Sequence, residues 1–312
     1  MKRSSIFGAL CALLLVLFAA CATPTPTPLP PTVTPVPPTA VPPTVAAPSD
    51  NSAASGALAQ ALLKTRDAQA YRVKLEITGK GDFAAADGAT ATPNDAQPVT
   101  LVAIQGEVNQ QDAHFSTQGF LNASLGRDPA KPFEVIMHNG NAYFKGPVPV
   151  IGAGEEKWYQ APPEIASIAQ LPLSPEQFLK SFSESGFEPA DFKLAGAETL
   201  DGQACQVYAG DKSAVANAFS KLAGATGATQ QDLDAIESAE FKFWACADGY
   251  LHQVKMGIVG HDPNDPAQNG EFGLLLQLAD LNGNITITPP ADAELFVLPT
   301  EMPSEPAATP TP

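Results

Sequence analysis

"AEFKFWACADGYLHQVKMGIV", Ala239–Val259, decides the fold. Phe241 and Phe243 alternate with Glu240 and Lys242, so the run is a strand with one apolar face. Asp248-Gly249 is a two-residue turn signal, and the chain after it reads as a second strand. A turn that short returns the chain antiparallel to itself. The same pattern recurs on both sides. Tyr71–Thr78, "YRVKLEIT", places Val73, Leu75 and Ile77 on one face and Arg72, Lys74 and Glu76 on the other. Further strands are expected at Pro98–Val108 and Ala113–Leu121. Asn139-Gly140 joins "PFEVIMH" to "NAYFK", and "KWYQAP" follows at Lys157–Pro162. Phe192–Leu200 and Gln203–Ala209 flank Asp201-Gly202. "EFGLLLQLADL" and "NITITPP" carry the strand reading to Pro290.

Helical spacing appears in few places. Gly56–Ala68 has Leu58, Leu62 and Leu63 on one stripe. Pro175–Glu184 begins after Ser174, a good N-cap, with Pro at the first position. "KSAVANAFSKLAG" and "TQQDLDAIESA" lie within Lys212–Ala239. Hairpins without βαβ alternation predict an α+β domain. Its expected core is a strongly curved antiparallel sheet, a half-open barrel of about nine to eleven strands, with helices over one face.

The segments outside this domain have other compositions. Lys2 and Arg3 precede an apolar run, Ile6–Ala20, of about fifteen residues, short of the roughly twenty that span a bilayer. Leu17-Phe18-Ala19-Ala20-Cys21 has the form of a lipoprotein signal, in which Cys21 becomes the lipid-bearing N-terminus. Ordinary cleavage at the Ala20-Cys21-Ala22 site is the competing reading. Ala22–Pro48 is Thr-Pro and Val-Pro repeats. Such chain favours extended polyproline II and cannot bury a core. The expected organisation is therefore a signal peptide over 1–20, a disordered Thr/Pro-rich stalk over 21–54, a folded domain over 55–298 and a disordered tail over 299–312.

The order of these features resembles the LolA/LolB-like fold, in particular lipoproteins of the LppX/LprG type. The resemblance rests on "ALAQALLKTRDAQAYRVKLEITG", the "WYQ" strand, "ETLDGQACQVYAG", "FWACADGYLHQVKMGIVG" and "LNGNITITPPADAELF". It implies a half-open barrel with helices over its mouth and an apolar cavity that holds acyl chains. Helices near Pro175–Glu184 and Lys212–Ala239 would gate that cavity. Val73, Leu75, Ile77, Val102, Ile104, Phe115, Phe241 and Phe243 are the candidate lining. On a filled domain the same residues are core, and the sequence leaves both readings open.

Composition narrows the function. The 312-residue chain has a formal net charge of -16, and only 16% of it is charged. Nucleic-acid binding needs clustered Lys and Arg, so no nucleic acid is expected. His114, His138, His252 and His261 lack metal-ligand spacing. "HDPNDPAQNGE", His261–Glu271, lacks the order of a calcium loop and reads as a hairpin loop. No nucleophile elbow or phosphate-binding loop is present, and the adjacent Glu155-Glu156 pair reads as solvated. No enzyme, cofactor or metal is expected. Cys205 and Cys246 remain once Cys11 and Cys21 are set aside. In an exported chain an even pair suggests a disulfide closing the base of a lid, although two separate buried thiols fit as well.

The expected function is thus that of an exported lipoprotein binding or carrying a lipid or acyl-chain ligand. It would be anchored on the extracytoplasmic face of a bacterial cell membrane. The rival reading is a surface structural or protein-binding lipoprotein with a filled core.

Overall fold

The computed structural model describes residues 51–81, 97–162, 188–214, 230–262 and 265–297. The predicted signal peptide, most of the stalk, the tail, the helix at Pro175–Glu184 and most of Lys212–Ala239's first helix lie outside them. Among the described residues, twelve strands form one sheet. They are β1 (Ala70–Gly81), β2 (Val99–Asn109), β3 (Asp112–Gly119), β4 (Phe133–His138), β5 (Asn141–Lys145) and β6 (Trp158–Gln160). β7 (Lys193–Leu200), β8 (Gln203–Gly210), β9 (Ile236–Cys246), β10 (Leu251–Asp262), β11 (Asp265–Ala279) and β12 (Glu294–Leu295) follow. Their order is β12-β6-β5-β4-β3-β2-β1-β11-β10-β9-β8-β7. The two ends of this order do not pair with each other, so the sheet is unclosed. The α+β antiparallel expectation holds. The strand number exceeds it, and β12 pairs with β6 in parallel.

Hairpin turns form where the sequence signals them. Asn139 and Gly140 both take positive φ (49° and 76°), as do Asp201 and Gly202 (48° and 81°). These are the turns whose twist matches that of the flanking strands. Register irregularities at Leu194/Gly196, Leu251/Gln253, Val259/Gly260 and His261/Asp262 bend β7 and β10.

The chain divides into two compact units. The first comprises Met1–Ala68, Thr78–Val99 and Pro172–Leu278. The second comprises Gln69–Ile77, Thr100–Leu171 and Ala279–Pro312.

In the first unit, helix α1 (Asn51–Arg66) packs against β7, β10 and the 3-10 turn Pro189–Asp191. It starts within the segment assigned to the stalk. Its buried face is also not the leucine stripe. Ala54, Leu58, Ala61 and Thr65 are buried, at spacings of four, three and four, whereas Leu63 is exposed. Small residues let the helix approach the sheet closely. Thr65 is fully buried and satisfied: its Oγ1 donates to the Ala61 carbonyl at 2.7 Å and accepts from the Leu251 N–H at 2.7 Å.

In the second unit β2 to β6 form a meander, and a short helix α2 (Phe120–Ser124) follows β3. Asn122, wholly buried, fixes that turn. Its Nδ2 donates to the Thr117 and Lys131 carbonyls, and its Oδ1 accepts from the Thr117 hydroxyl at 2.7 Å.

Three sequence expectations fail. "TQQDLDAIESA" is helical only over α3 (Gln230–Asp234), and β9 begins at Ile236. The pairing of Ile258 with Ala239 and of Val259 with Ser238 recruits those residues into the sheet, overriding their helical spacing. "NITITPP" alternates like a strand, yet Asn284–Pro290 joins no ladder. The predicted hairpin loop His261–Glu271 is mostly strand, since β10 reaches Asp262 and β11 starts at Asp265.

Candidate functional site

In the second unit the strand registers line up one row of residues straight across five strands. Gly106 faces Phe115, Phe115 faces Val135, Val135 faces Phe144, and Phe144 faces Tyr159. Cross-strand partners share a face, so this row spans roughly 19 Å of one side of the sheet, four spacings of about 4.8 Å. Phe115, Val135, Phe144 and Tyr159 are all buried, and so is Ile104, two residues from Gly106. Gly106 is there because Phe115 needs its place. A Cβ on Gly106 would lie 2.5 Å from the Phe115 ring and 2.2 Å from the His114 carbonyl oxygen. Arg72 ion-pairs Glu107 at 3.4 Å on the opposite face, so Val73 and Ile77, both buried, lie on the apolar one.

The opposite face is charged in one half and covered in the other. Arg72 also meets Asp280 at 2.5 Å, His114 and Lys145 meet Glu134 at 3.5 and 3.4 Å, and His138 meets Asp112 at 3.0 Å. Beyond these, the segment after β11 lies across the sheet like a strap. Ile285 and Ile287 are buried with Ala70 and Ile136, against Tyr143 and Trp158. The strap is pinned there by the Asn109 Nδ2 donating to the Ile285 carbonyl at 2.8 Å. The Gln69 N–H donates to Asn282 Oδ1, also at 2.8 Å. It then passes β6 and delivers Phe296 to the apolar face. Phe296 meets Phe144 and Tyr159 edge-on, with ring centroids 5.6 and 5.5 Å apart. One segment therefore packs on both faces at the β6 edge.

In the first unit the equivalent row is Leu194, Tyr208, Phe243, Val254 and Leu276. The 3-10 turn against which α1 packs carries Phe192 onto this face. Phe192 lies edge-on to Phe241 at 5.6 Å and to Phe243 at 4.9 Å. Gly210 makes room for it, since a Cβ there would meet the Phe192 ring at 2.7 Å. Burial pushes the Tyr208 hydroxyl above its ordinary titration range, and that hydroxyl donates to Gln206 Oε1 at 2.5 Å. The Tyr71 hydroxyl is likewise held up by burial.

The eight predicted lining residues thus fall into two groups. Val73, Leu75, Ile77, Val102, Ile104 and Phe115 belong to the second unit, and Phe241 and Phe243 to the first. Leu75 and Val102 are only half-buried. Phe144 and Tyr159 were missed, although alternation in "NAYFK" and "WYQ" marks their face. Phe192 and Phe296 had no such signal, because each reaches its face from outside the ladder it covers.

Cys205 and Cys246 form a disulfide between register partners on β8 and β9, 41 residues apart in sequence. The lid expected between the two cysteines lies largely outside the described residues. Cys246 alternates with Phe241 and Phe243, so the bridge lies on the other side, buried with Val207 and Trp244. The Trp244 Nε1 donates to Glu198 Oε2 there at 2.8 Å. Cys21 lies outside the described residues. Among the described residues no group of His, Cys, Asp or Glu has the arrangement of a metal site. No described helix is long and apolar enough to cross a membrane.

No protein-family model matches the sequence, and no curated protein does. Solved structures similar to the chain include the lipoprotein LppX of Mycobacterium tuberculosis, at 15% identity and a TM-score of 0.38, covering 77% of this chain and 100% of that one. LprF from Mycobacterium bovis is similar at 13% identity and a TM-score of 0.36, covering 77% and 97%. A LolA superfamily protein from Nitrosomonas europaea aligns at 10% identity and a TM-score of 0.23, covering 75% of this chain and 94% of that one.

Proposed function

We propose that this chain is an exported bacterial lipoprotein that sequesters an acyl chain on the apolar face of its second unit. The observation that carries the reading is the Phe115–Val135–Phe144–Tyr159 row with Ile104 and Ile77 beside it, an aromatic and aliphatic strip on an antiparallel sheet whose described strands do not close. Removing alkyl chain from water contributes about 0.8 kcal/mol per CH₂, so a few buried carbons give useful affinity. Cys21, closing the apolar leader, would carry the membrane anchor, and the proline-rich segment after it would hold the domain away from the cell membrane on its outer side. The chemistry is binding and release, with no bond made or broken.

The test is organic extraction of protein purified without detergent, followed by mass spectrometry. Co-purifying lipid is the expected result; extracts free of lipid, together with failure to take up added fatty acid, sink the reading. A Cys21→Ala variant is expected in the soluble fraction, and retention on membranes would refute the anchor. One observation favours the rival reading of a protein-binding lipoprotein with a filled core: Phe296 already packs edge-on against the stacked Phe144 and Tyr159 rings.

A further inference from the structure

We propose that Phe296 is a displaceable plug, that β12 is its latch, and that the ligand is an anionic single-chain amphiphile which replaces both. This rests on the acyl-chain reading above and locates it at one end of the aromatic row.

The strap is held unevenly. Upstream, Ile285 and Ile287 are buried and Asn109, Asn282 and Gln69 pin the backbone. Downstream, β12 is two residues long. Its backbone hold is the pairing of Glu294 and Leu295 with Tyr159 and Gln160, including the Phe296 N–H donating to the Gln160 carbonyl at 2.9 Å. Leu295 and Val297, on either side of Phe296, are 66% and 76% exposed, so neither adds packing. The end that carries Phe296 therefore detaches without disturbing the pinned part.

What it vacates has defined chemistry. Withdrawal of the Phe296 ring leaves an apolar slot bordered by Phe144 and Tyr159, on the same face as Val135 and Phe133. Glu294 leaves with it. Lys157 Nζ, which Glu294 meets at 2.7 Å and Glu155 at 2.9 Å, then loses one of its two carboxylates. That ammonium lies 5.4 Å from the Tyr159 ring centroid, beside the mouth of the slot. An alkyl chain takes the place of Phe296, and its carboxylate or phosphate head takes the place of Glu294 on Lys157. Hydrogen bonds between charged groups are the stronger ones, so this exchange selects an anionic head.

The test uses the mature chain and cis-parinaric acid, a fatty acid whose fluorescence rises on leaving water. Phe296→Ala and the more conservative Phe296→Leu are expected to bind it roughly tenfold tighter than wild type, because no plug competes. Equal or weaker binding by both variants makes Phe296 a wall and overturns the plug, while leaving the acyl-chain reading standing. No binding by wild type or either variant overturns both. Hydrogen exchange on the wild type gives a readout that needs no variant. The Phe296 amide should lose protection on binding while the β4 amides keep theirs, and unchanged protection at Phe296 sinks the latch. Finally, oleate should displace the probe at least tenfold better than oleyl alcohol, and Lys157→Met should erase that preference. Equal displacement by the two competitors refutes the role given to Lys157. Competition between oleate and a lysophospholipid with a phosphate head distinguishes the two sources of the anionic group.

Discussion

Each unit hides an aromatic row on one face of its sheet, but the covers are built differently. In the first unit Phe192 lies over Phe241 and Phe243 beside the 3-10 turn that α1 packs against, and the helix is tied to the sheet by fully buried Thr65. In the second unit Phe296, on a two-residue strand, covers Phe144 and Tyr159. The chemistry of the two contacts is alike, since both are edge-on aromatic triads. The difference lies in what the covering ring is attached to. A ring backed by a packed helix is part of the core. A ring on a short exposed strand is a contact with an alternative.

The comparison breaks most directly at Phe192. Phe192→Ala should cost about 4 kcal/mol, within the usual range for deleting a buried phenyl group, read by urea denaturation. Phe296→Ala, buried to 6% exposure against 2% for Phe192, should cost only about 1 kcal/mol, because the strap can settle into the space it leaves. Equal losses for the two would abolish the distinction. The disulfide ranks beside Phe192. Its 41-residue separation corresponds to about 4 kcal/mol of lost chain entropy, so Cys205→Ser with Cys246→Ser should lower the unfolding free energy by nearly that much. Fatty-acid binding to the second unit should survive the change. Thr65→Val sharpens the account of the helix. It keeps the shape but strands the Leu251 N–H, at about 2 kcal/mol. The smallest effect is expected from Glu294→Gln. The ion pair it removes is exposed, so the unfolding midpoint should not move, while the exchange rate of the Phe296 amide rises.

Much of this fold is legible in local sequence. Alternation in "YRVKLEIT" gives the correct faces, with Val73 and Ile77 buried and Arg72 and Lys74 exposed. Asn-Gly and Asp-Gly give the correct turns, because only a few residues tolerate positive φ. The covers are not legible. Alternation states that a face is apolar and says nothing about what reaches it. Ile285 and Ile287 show the period of a strand and bury like one, yet their backbone joins no ladder. The helix is misjudged for a related reason. Leu62 and Leu63 have the hydrophobicity, but Ala54, Leu58, Ala61 and Thr65 have the shape that the sheet accepts. The division of the predicted lining between two units is a property of long-range contacts, which no local pattern carries.

The position of β1 bears on how the molecule is made. Among the described strands it is the first to be synthesised, and its neighbours are β2 and β11. One of its edges can be satisfied at once by a hairpin-like partner. The other must wait until the chain beyond Asp265 has appeared. Until then β1 offers a row of unpaired amides and carbonyls to any extended segment, the condition under which nascent β proteins aggregate. Arg72, Lys74 and Glu76 alternate along that strand. Charge on a temporary edge discourages neighbours from docking on it. The same residues that face water in the finished sheet therefore guard the chain during the interval before β11 arrives.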